Sequence, residues 1–299
     1  MKRLLNCNAS DFINIERESL KQAILASEGR TICSENVATS QPYDPNITNG
    51  EVAKSFGADL ILLNAFDCFN PVIKGISKDE VNPIKKLKEL TGRPVGINLE
   101  PVDKSASMLE ERAELEPGRI CSQKTIKKAQ QLGVDIICLT GNPGTGVSNV
   151  QIKEAIKNVR KNFTGLIIAG KMHGSGVSES VLPDQETISE FIESGADVIL
   201  VPALGTVPGL SDNEYYSIVS SIRKRNTLVM STIGTSQESS SKRIIEYIAI
   251  KNKQAGVDIQ HIGDSAVSGI APPENIFALS VAIRGMRHTV SMISRSIKR

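Results

Sequence analysis

Hydrophobic and polar positions along the chain repeat one figure four times. GADLILLNAF begins at Gly57, GVDIICLTGN at Gly133, GADVILVPAL at Gly195 and GVDIQHIGDS at Gly256. Each copy follows a stretch with apolar residues at helical spacing, stops it at a glycine, and runs into a short apolar burst that ends in small or polar residues. This order predicts helix, turn, buried strand. The copies are too far apart for one strand and one helix, and right for two of each. The intervening strands are apolar runs at 30–36 (RTICSEN), 93–101 (RPVGINLEP), 164–174 (TGLIIAGKMHG) and 226–234 (NTLVMSTIG).

Eight strands separated by helices need parallel pairing, and strands covered on both faces read as continuous apolar runs, as most of these do. The pattern therefore predicts an α/β fold, a (β/α)8 TIM barrel occupying residues 1–299 as a single domain. An extra N-terminal helix is expected within 11–28, where Ile13, Leu20, Ile24 and Leu25 stand among charged residues. Thr48 with Glu51, Ser77 with Glu80, and Ser211 with Glu214 have capping-box spacing, and another helix should begin near Ser122.

Loops leading from helix to strand are terse, whereas those leaving strands are long and rich in Gly, Ser, Thr, Asn and Pro. In such barrels the latter form the face that carries active sites. The longest, 101–120, is expected to act as a lid, with its LEERAEL segment forming a short helix.

Composition narrows the function classes. The 299 residues are 40% hydrophobic and 23% charged, with a formal net charge of +2. No basic run is interleaved with aromatics, so nucleic acid is not an expected partner. No stretch approaches a membrane-spanning length, and MKRLLNCNAS is too short in its apolar part for a signal peptide, so no membrane association and a cytoplasmic location are expected. The five cysteines are scattered without CxxC spacing, which argues against a disulfide framework or structural zinc. Cys68, beside Asp67, is the one placed for chemistry, though core packing is the simpler reading.

Candidate chemistry gathers at strand ends. In the third strand Val95, Ile97 and Leu99 alternate with Gly96, Asn98 and Glu100, which places Asn98 and Glu100 inside the barrel. The same reasoning turns Ala169, Lys171 and His173 of the fifth strand inward. Glu100, Lys171 and His173 would then converge at the mouth as a catalytic set: Lys171 as Schiff-base nucleophile or anion anchor, His173 as general base. The alternative is a structural Glu100–Lys171 ion pair, with His173 only closing a turn. After the last two strands, Gly234, Thr235, Ser236, Gly263, Ser265, Ser268 and Gly269 form an expected phosphate or anion site. Asp67, Glu100, Glu35 and Asp264 end strands as oxygen donors suited to Mg2+. Gln260 and His261 lie on opposite faces of the last strand, so one polar side chain must enter the barrel; His261 and His288 read as structural histidines. GNPGTG at 141–146 fits neither dinucleotide nor P-loop spacing and reads as a turn.

GRTICSENV, GINLEP, GKMHGSG and HIGDSAVSG together resemble a group of bacterial TIM-barrel proteins of unassigned function, some labelled haloacid dehalogenase-like hydrolase. That superfamily's Asp-x-Asp pair is missing here, since the first strand ends Ser34-Glu35-Asn36. A more distant likeness is to the phosphoenolpyruvate mutase and isocitrate lyase barrels, whose Mg2+-binding acids Asp67 and Glu100 partly match; the fourth strand ends instead in Asn142. Residues and resemblance together lead to the expectation of an enzyme with lyase or isomerase chemistry on a small anionic, phosphorylated or not, carbonyl or sugar metabolite. The alternatives are a non-catalytic metabolite- or partner-binding barrel, or a hydrolase. A homo-oligomer is compatible with either.

Overall fold

The computed structural model describes residues 2–299. The strands are β1 (Thr31–Val37), β2 (Leu60–Asn64), β3 (Val95–Leu99), β4 (Ile136–Leu139), β5 (Leu166–Gly170), β6 (Val198–Pro202), β7 (Leu228–Ile233) and β8 (Ile259–Ile262). All neighbouring pairs are parallel, and β8 closes onto β1 with Cys33 opposite His261. This is the expected α/β (β/α)8 TIM barrel. The N-terminal helix is α1 (Arg17–Leu25). The strands are followed in turn by α2 (Asn49–Ser55), α3 (Pro83–Thr91), α4 (Gln123–Leu132), α5 (Asn149–Asn162), α6 (Gln185–Ser194), α7 (Asp212–Arg223), α8 (Lys242–Ala255) and α9 (Pro273–Ile293), the last interrupted at Gly285. No helix among the described residues is long and apolar enough to cross a membrane.

The fourfold sequence figure has a physical explanation. Its glycines take positive φ values of 77–119°, which turn the chain out of a helix and into an even-numbered strand. The aspartate two residues later then grips the preceding odd strand at two points. Asp59 donates its backbone N–H to the Ile32 carbonyl, and its Oδ2 accepts the Ile32 N–H, both at 2.9 Å. Asp135 does the same to Val95 (2.9 and 2.9 Å), Asp197 to Ile167 (3.0 and 2.9 Å) and Asp258 to Val229 (3.0 and 2.9 Å). Three of the carboxylates also hold a cation: Arg284 on Asp59 at 2.6 Å, Lys88 on Asp135 at 2.7 Å and Arg160 on Asp197 at 2.5 Å. These clamps all lie at the strands' N-terminal ends.

Alternation sorts the side chains above the clamps. Val95, Ile97 and Leu99 pack outward with helix residues such as Ile126 and Ile152. Leu62, Ile136, Ile168, Leu200 and Met230 pack within the barrel, which Leu4, Leu5, Phe12, Leu20 and Ile24 close from below. Towards the C-terminal ends the inward positions turn polar, with Glu35, Asn64, Asn98 and His261. Asn98 enters the barrel as its alternation predicts, and of the Gln260/His261 pair His261 enters while Gln260 Nε2 donates to the Ala249 carbonyl at 2.9 Å.

Three local expectations need correction. Thr48 and Ser211 do cap their helices, but Ser77 does not: α3 is capped by Asn82, whose side chain accepts the Lys85 N–H at 3.0 Å. LEERAEL forms no helix. It is stretched across two other loops, with Leu109 N–H donating to the Gly176 carbonyl and Ala113 N–H to the Gly144 carbonyl, both at 2.8 Å. In β5 the parity is reversed: Ile168 faces inward and Ala169 outward.

Candidate functional site

A cup of about 630 Å³ opens at the C-terminal ends of the strands. Its floor carries Glu35, Asn64 and Asn98; its walls come from Thr140–Pro143, Met172–Val177, Gly234–Ser236, Glu238, Asp264 and Ser265; Leu109 and Glu110 of the 101–120 loop overhang it. A second pocket, of about 600 Å³, lies around Phe12, Arg93 and Ile297 and contains none of the expected site residues.

Glu35 is held from both sides. One carboxylate oxygen accepts from Asn98 Nδ2, and the other lies 2.7 Å from His261 Nε2. His261 Nδ1 and Asn98 Oδ1 are buried without a partner. Asp264 stands at the wall, where its Oδ2 accepts from Asn64 Nδ2 at 3.0 Å. Burial, reinforced by the charges of Glu35 and Glu238, pushes its carboxyl up to about 8, so Asp264 keeps its proton at neutral pH. Asn64 is fixed by a reciprocal amide pair with Asn142 (2.8 and 2.9 Å). Asn142 in turn donates its Nδ2 and backbone N–H to Glu100, both at 2.9 Å, and Arg119 holds Glu100 from behind at 2.9 Å. A chain of fixed partners thus runs Arg119, Glu100, Asn142, Asn64, Asp264.

The structure does not bring Glu100, Lys171 and His173 together. Glu100 is buried beneath the cup and reaches it only through the two asparagines. Lys171 has the outward parity of Ala169; its Nζ donates to Glu179 at 2.6 Å, and Glu179 also accepts the Asn149 N–H at the start of α5. That pair ties a loop to a helix and is absent from the cup lining, which removes Lys171 as a nucleophile or anion anchor there. His173 does line the cup. Its Nδ1 accepts the Ser175 N–H at 3.1 Å, and burial pushes its ring below the usual imidazole range against the pull of Glu35, Glu100 and Glu110. The ring is therefore neutral with its proton on Nε2, which makes it a hydrogen-bond donor to the cup rather than the expected base.

The expected anion site is divided. Gly234, Thr235, Ser236 and Ser265 line the cup, while Gly263, Ser268 and Gly269 do not: the Ser268 carbonyl accepts from Asn49 Nδ2, and the Gly269 carbonyl accepts the Val37 N–H. The Ser265 amide and hydroxyl already donate to the Glu238 carboxylate. No lysine or arginine stands among the described residues lining the cup, so a phosphate would meet carboxylates instead of cations. The expected Mg2+ ligands do not fit a metal either. Asp67 turns away to accept the amides of Phe69 and Asn70 (2.7 and 3.2 Å), Glu100 is bound to Arg119, and Glu35 is held between Asn98 and His261. Among the described residues no three acidic, histidine or cysteine side chains are placed to hold a metal ion. Cys68 is core, its thiol pushed up to about 12 by burial.

Sequence reasoning missed His261 and Glu238 as site residues. His261 carried a usable signal, the opposite parity of Gln260; Glu238, in the short 3-10 helix Gln237–Ser239, carried none.

Fold and cup together define a TIM-barrel protein with an acidic, cation-free site at its C-terminal face. The chain belongs to the family described as domain of unknown function (DUF7916), which matches residues 5–299. No curated protein matches it. Similar solved structures include the carboxyl transferase domain of Rhizobium etli pyruvate carboxylase, 10% identical over 96% of this chain and 52% of that one, with a TM-score of 0.53. A chain of the Amycolatopsis orientalis BexX/CysO complex is 15% identical over 89% of this chain and 93% of that one, with a TM-score of 0.51. A 2,3-dimethylmalate lyase of the PEP mutase/isocitrate lyase superfamily is 15% identical over 86% of this chain and 81% of that one, with a TM-score of 0.48. At such identities the likeness speaks to the fold alone.

Proposed function

We propose that the protein is an enzyme of lyase or isomerase type that moves protons on a small hydroxylated carbonyl or sugar compound in the C-terminal cup. The observation that carries this reading is the placement on one cup of Asp264, hydrogen-bonded by Asn64, and Glu35, held between Asn98 and His261; burial and the Glu35 charge favour the protonated form of Asp264. A carboxyl that keeps its proton and a second carboxylate in the same site can supply an acid and a base together. In this reading Glu35, oriented by Asn98 and His261, removes a proton beside the substrate carbonyl. Asp264, oriented by Asn64, protonates the carbonyl or leaving oxygen, and the His173 Nε2–H hydrogen-bonds that oxygen. The 101–120 loop, with Leu109 exposed above the opening, acts as the cover that excludes water. The substrate differs from the small anionic metabolite, phosphorylated or not, that the sequence led us to expect: the lining favours a compound without phosphate or another anionic group.

The test is solvent exchange. The protein is incubated in deuterated water with a panel of aldoses, ketoses and hydroxy ketones, and proton NMR follows loss of the C–H signal next to each carbonyl. Protein-dependent exchange that disappears in Glu35→Gln and falls in Asp264→Asn is the expected result. Compounds that bind the cup but never exchange would overturn the reading.

A further inference from the structure

The cup's hydrogen-bonding groups are unevenly used. Its side-chain donors are largely committed within the protein: Asn98 Nδ2 to Glu35, Asn64 Nδ2 to Asn142 and Asp264, Asn142 Nδ2 to Asn64 and Glu100, Ser265 to Glu238, Thr235 Oγ1 to the Thr206 carbonyl, and Ser175 Oγ to the Gly141 carbonyl. Two of its acceptors are not, and the one buried hydroxyl among the described lining residues without a partner, Thr140 Oγ1, can itself accept as well as donate. Glu238 Oε2 and Asn98 Oδ1 have no partner, although the two residues are only 1% and 4% exposed and both line the cup. Buried polar atoms left unpaired are costly, and a bound molecule that donates to them relieves the cost.

Charge points the same way. Glu35, Glu110 and Glu238 face the cup beside the protonated Asp264, with the His173 ring in the lining and the His261 ring behind Glu35. The nearby cations are already paired outside it, Lys171 with Glu179 and Arg119 with Glu100. Glu238 is fixed in place, with one oxygen bound by the Ser265 amide and its own carbonyl accepting Asn275 Nδ2 at 2.7 Å, so its free oxygen is a preorganised acceptor.

We infer that the cup's ligand carries a protonated amine among its hydroxyl groups, and that Glu238 Oε2 and Asn98 Oδ1 accept from it. This rests on reading the cup as the substrate site, and it adds the charge of the ligand, which the proton-transfer chemistry leaves open. A cation bound there also favours ionisation of Asp264, so binding near neutral pH releases a proton.

The probes are small polyols, each in neutral, amine and phosphate-ester form, with binding to the intact protein followed by calorimetry and by the NMR signals of the His173 ring and the Met172 methyl. Amine forms should bind at least about tenfold more tightly than their neutral partners, and phosphate esters most weakly. The observed heat should vary with the buffer's own ionisation heat, reporting the released proton. Glu238→Gln should remove most of the amine's advantage; Glu110→Gln, at an exposed site that folding does not need, should reduce it less. Preference for the phosphate forms, equal binding of amine and neutral forms, or binding of none overturns the inference, and the unaltered protein decides this even if Glu238→Gln does not fold. Solvent exchange is read separately: amine preference without exchange removes the catalytic reading alone, and exchange without amine preference removes this one alone.

Discussion

The two ends of the barrel both bury carboxylates, yet treat them differently. At the N-terminal end Asp59 accepts a backbone amide and ion-pairs with Arg284, and both side chains are fully buried. At the C-terminal end Glu238 is as deeply buried but lines the cup with no cation among the described residues paired to it, and Asp264 keeps its proton. A buried carboxylate neutralised by a cation of the chain serves stability; one that lines the cup with no cation beside it is left to meet something that arrives from outside.

The sharpest way to break this contrast is to remove an acid from each end. Asp59→Ala leaves Arg284 buried without its partner and opens a clamp, so it should destabilise the fold by about 3–5 kcal/mol in urea denaturation. Asp264→Asn, which removes the cost of keeping that acid protonated, should leave the fold at neutral pH no less stable than the wild type. Equal losses would mean that the two ends are not built for different purposes.

Activity should show the opposite dependence. Once a substrate is known, Glu35→Gln should lower turnover by about 100-fold or more while unfolding near the wild-type midpoint. A smaller change in rate accompanied by a large fall in midpoint would assign Glu35 to the core.

The pH dependence of stability separates the ends further. Asp264 ionises near the ordinary carboxyl value of 3.8 when unfolded and at about 8 when folded, so between these values the folded protein holds the extra proton. Stability from this group is full below the lower value and is lost as pH rises through the upper one. Thermal midpoints measured across the window should fall with rising pH, and Asp264→Asn should flatten that slope. An unchanged slope would place the titrating group elsewhere.

Hydrogen exchange offers the mildest comparison. The amides of Ile32, Val95, Ile167 and Val229, held by the clamps, should exchange at rates set by global unfolding. Those of Leu109 and Ala113, held only by loop carbonyls, should exchange at least about tenfold faster and slow when a ligand binds. Loop amides as slow as the clamped ones, with or without ligand, would end the idea of a lid.

The barrel was legible in the chain because its code is local. Glycine, aspartate and an apolar burst each act within a few residues, and β3 alternates cleanly enough to send Asn98 inward. β5 was not legible in the same way. Leu166 to Gly170 is apolar on both faces, so periodicity could not choose a parity, and assigning Lys171 inward on grounds of chemistry chose the wrong one. The cup depends on contacts distant in sequence, such as Glu35 with His261 and Glu238 with Ser265, and no local pattern carries those. Ser77 and the LEERAEL segment failed for a related reason: a nearer cap at Asn82, and loop carbonyls at Gly144 and Gly176, compete for the same backbone groups.

The aspartate clamps also divide the sheet into couples: β1 with β2, β3 with β4, β5 with β6, β7 with β8. No aspartate grips β2 to β3, β4 to β5 or β6 to β7, and between β6 and β7 only the Thr232 hydroxyl reaches across, to the Val201 carbonyl at 3.0 Å. The two chain ends lie together, with the Ser10 N–H donating to the Arg299 carbonyl at 2.8 Å, so they can be linked and the ring reopened elsewhere. Circular permutants opened between couples keep every clamp within a contiguous segment. One opened between β3 and β4 makes Asp135 hold together the two new termini, and it should be the slower of the two to fold.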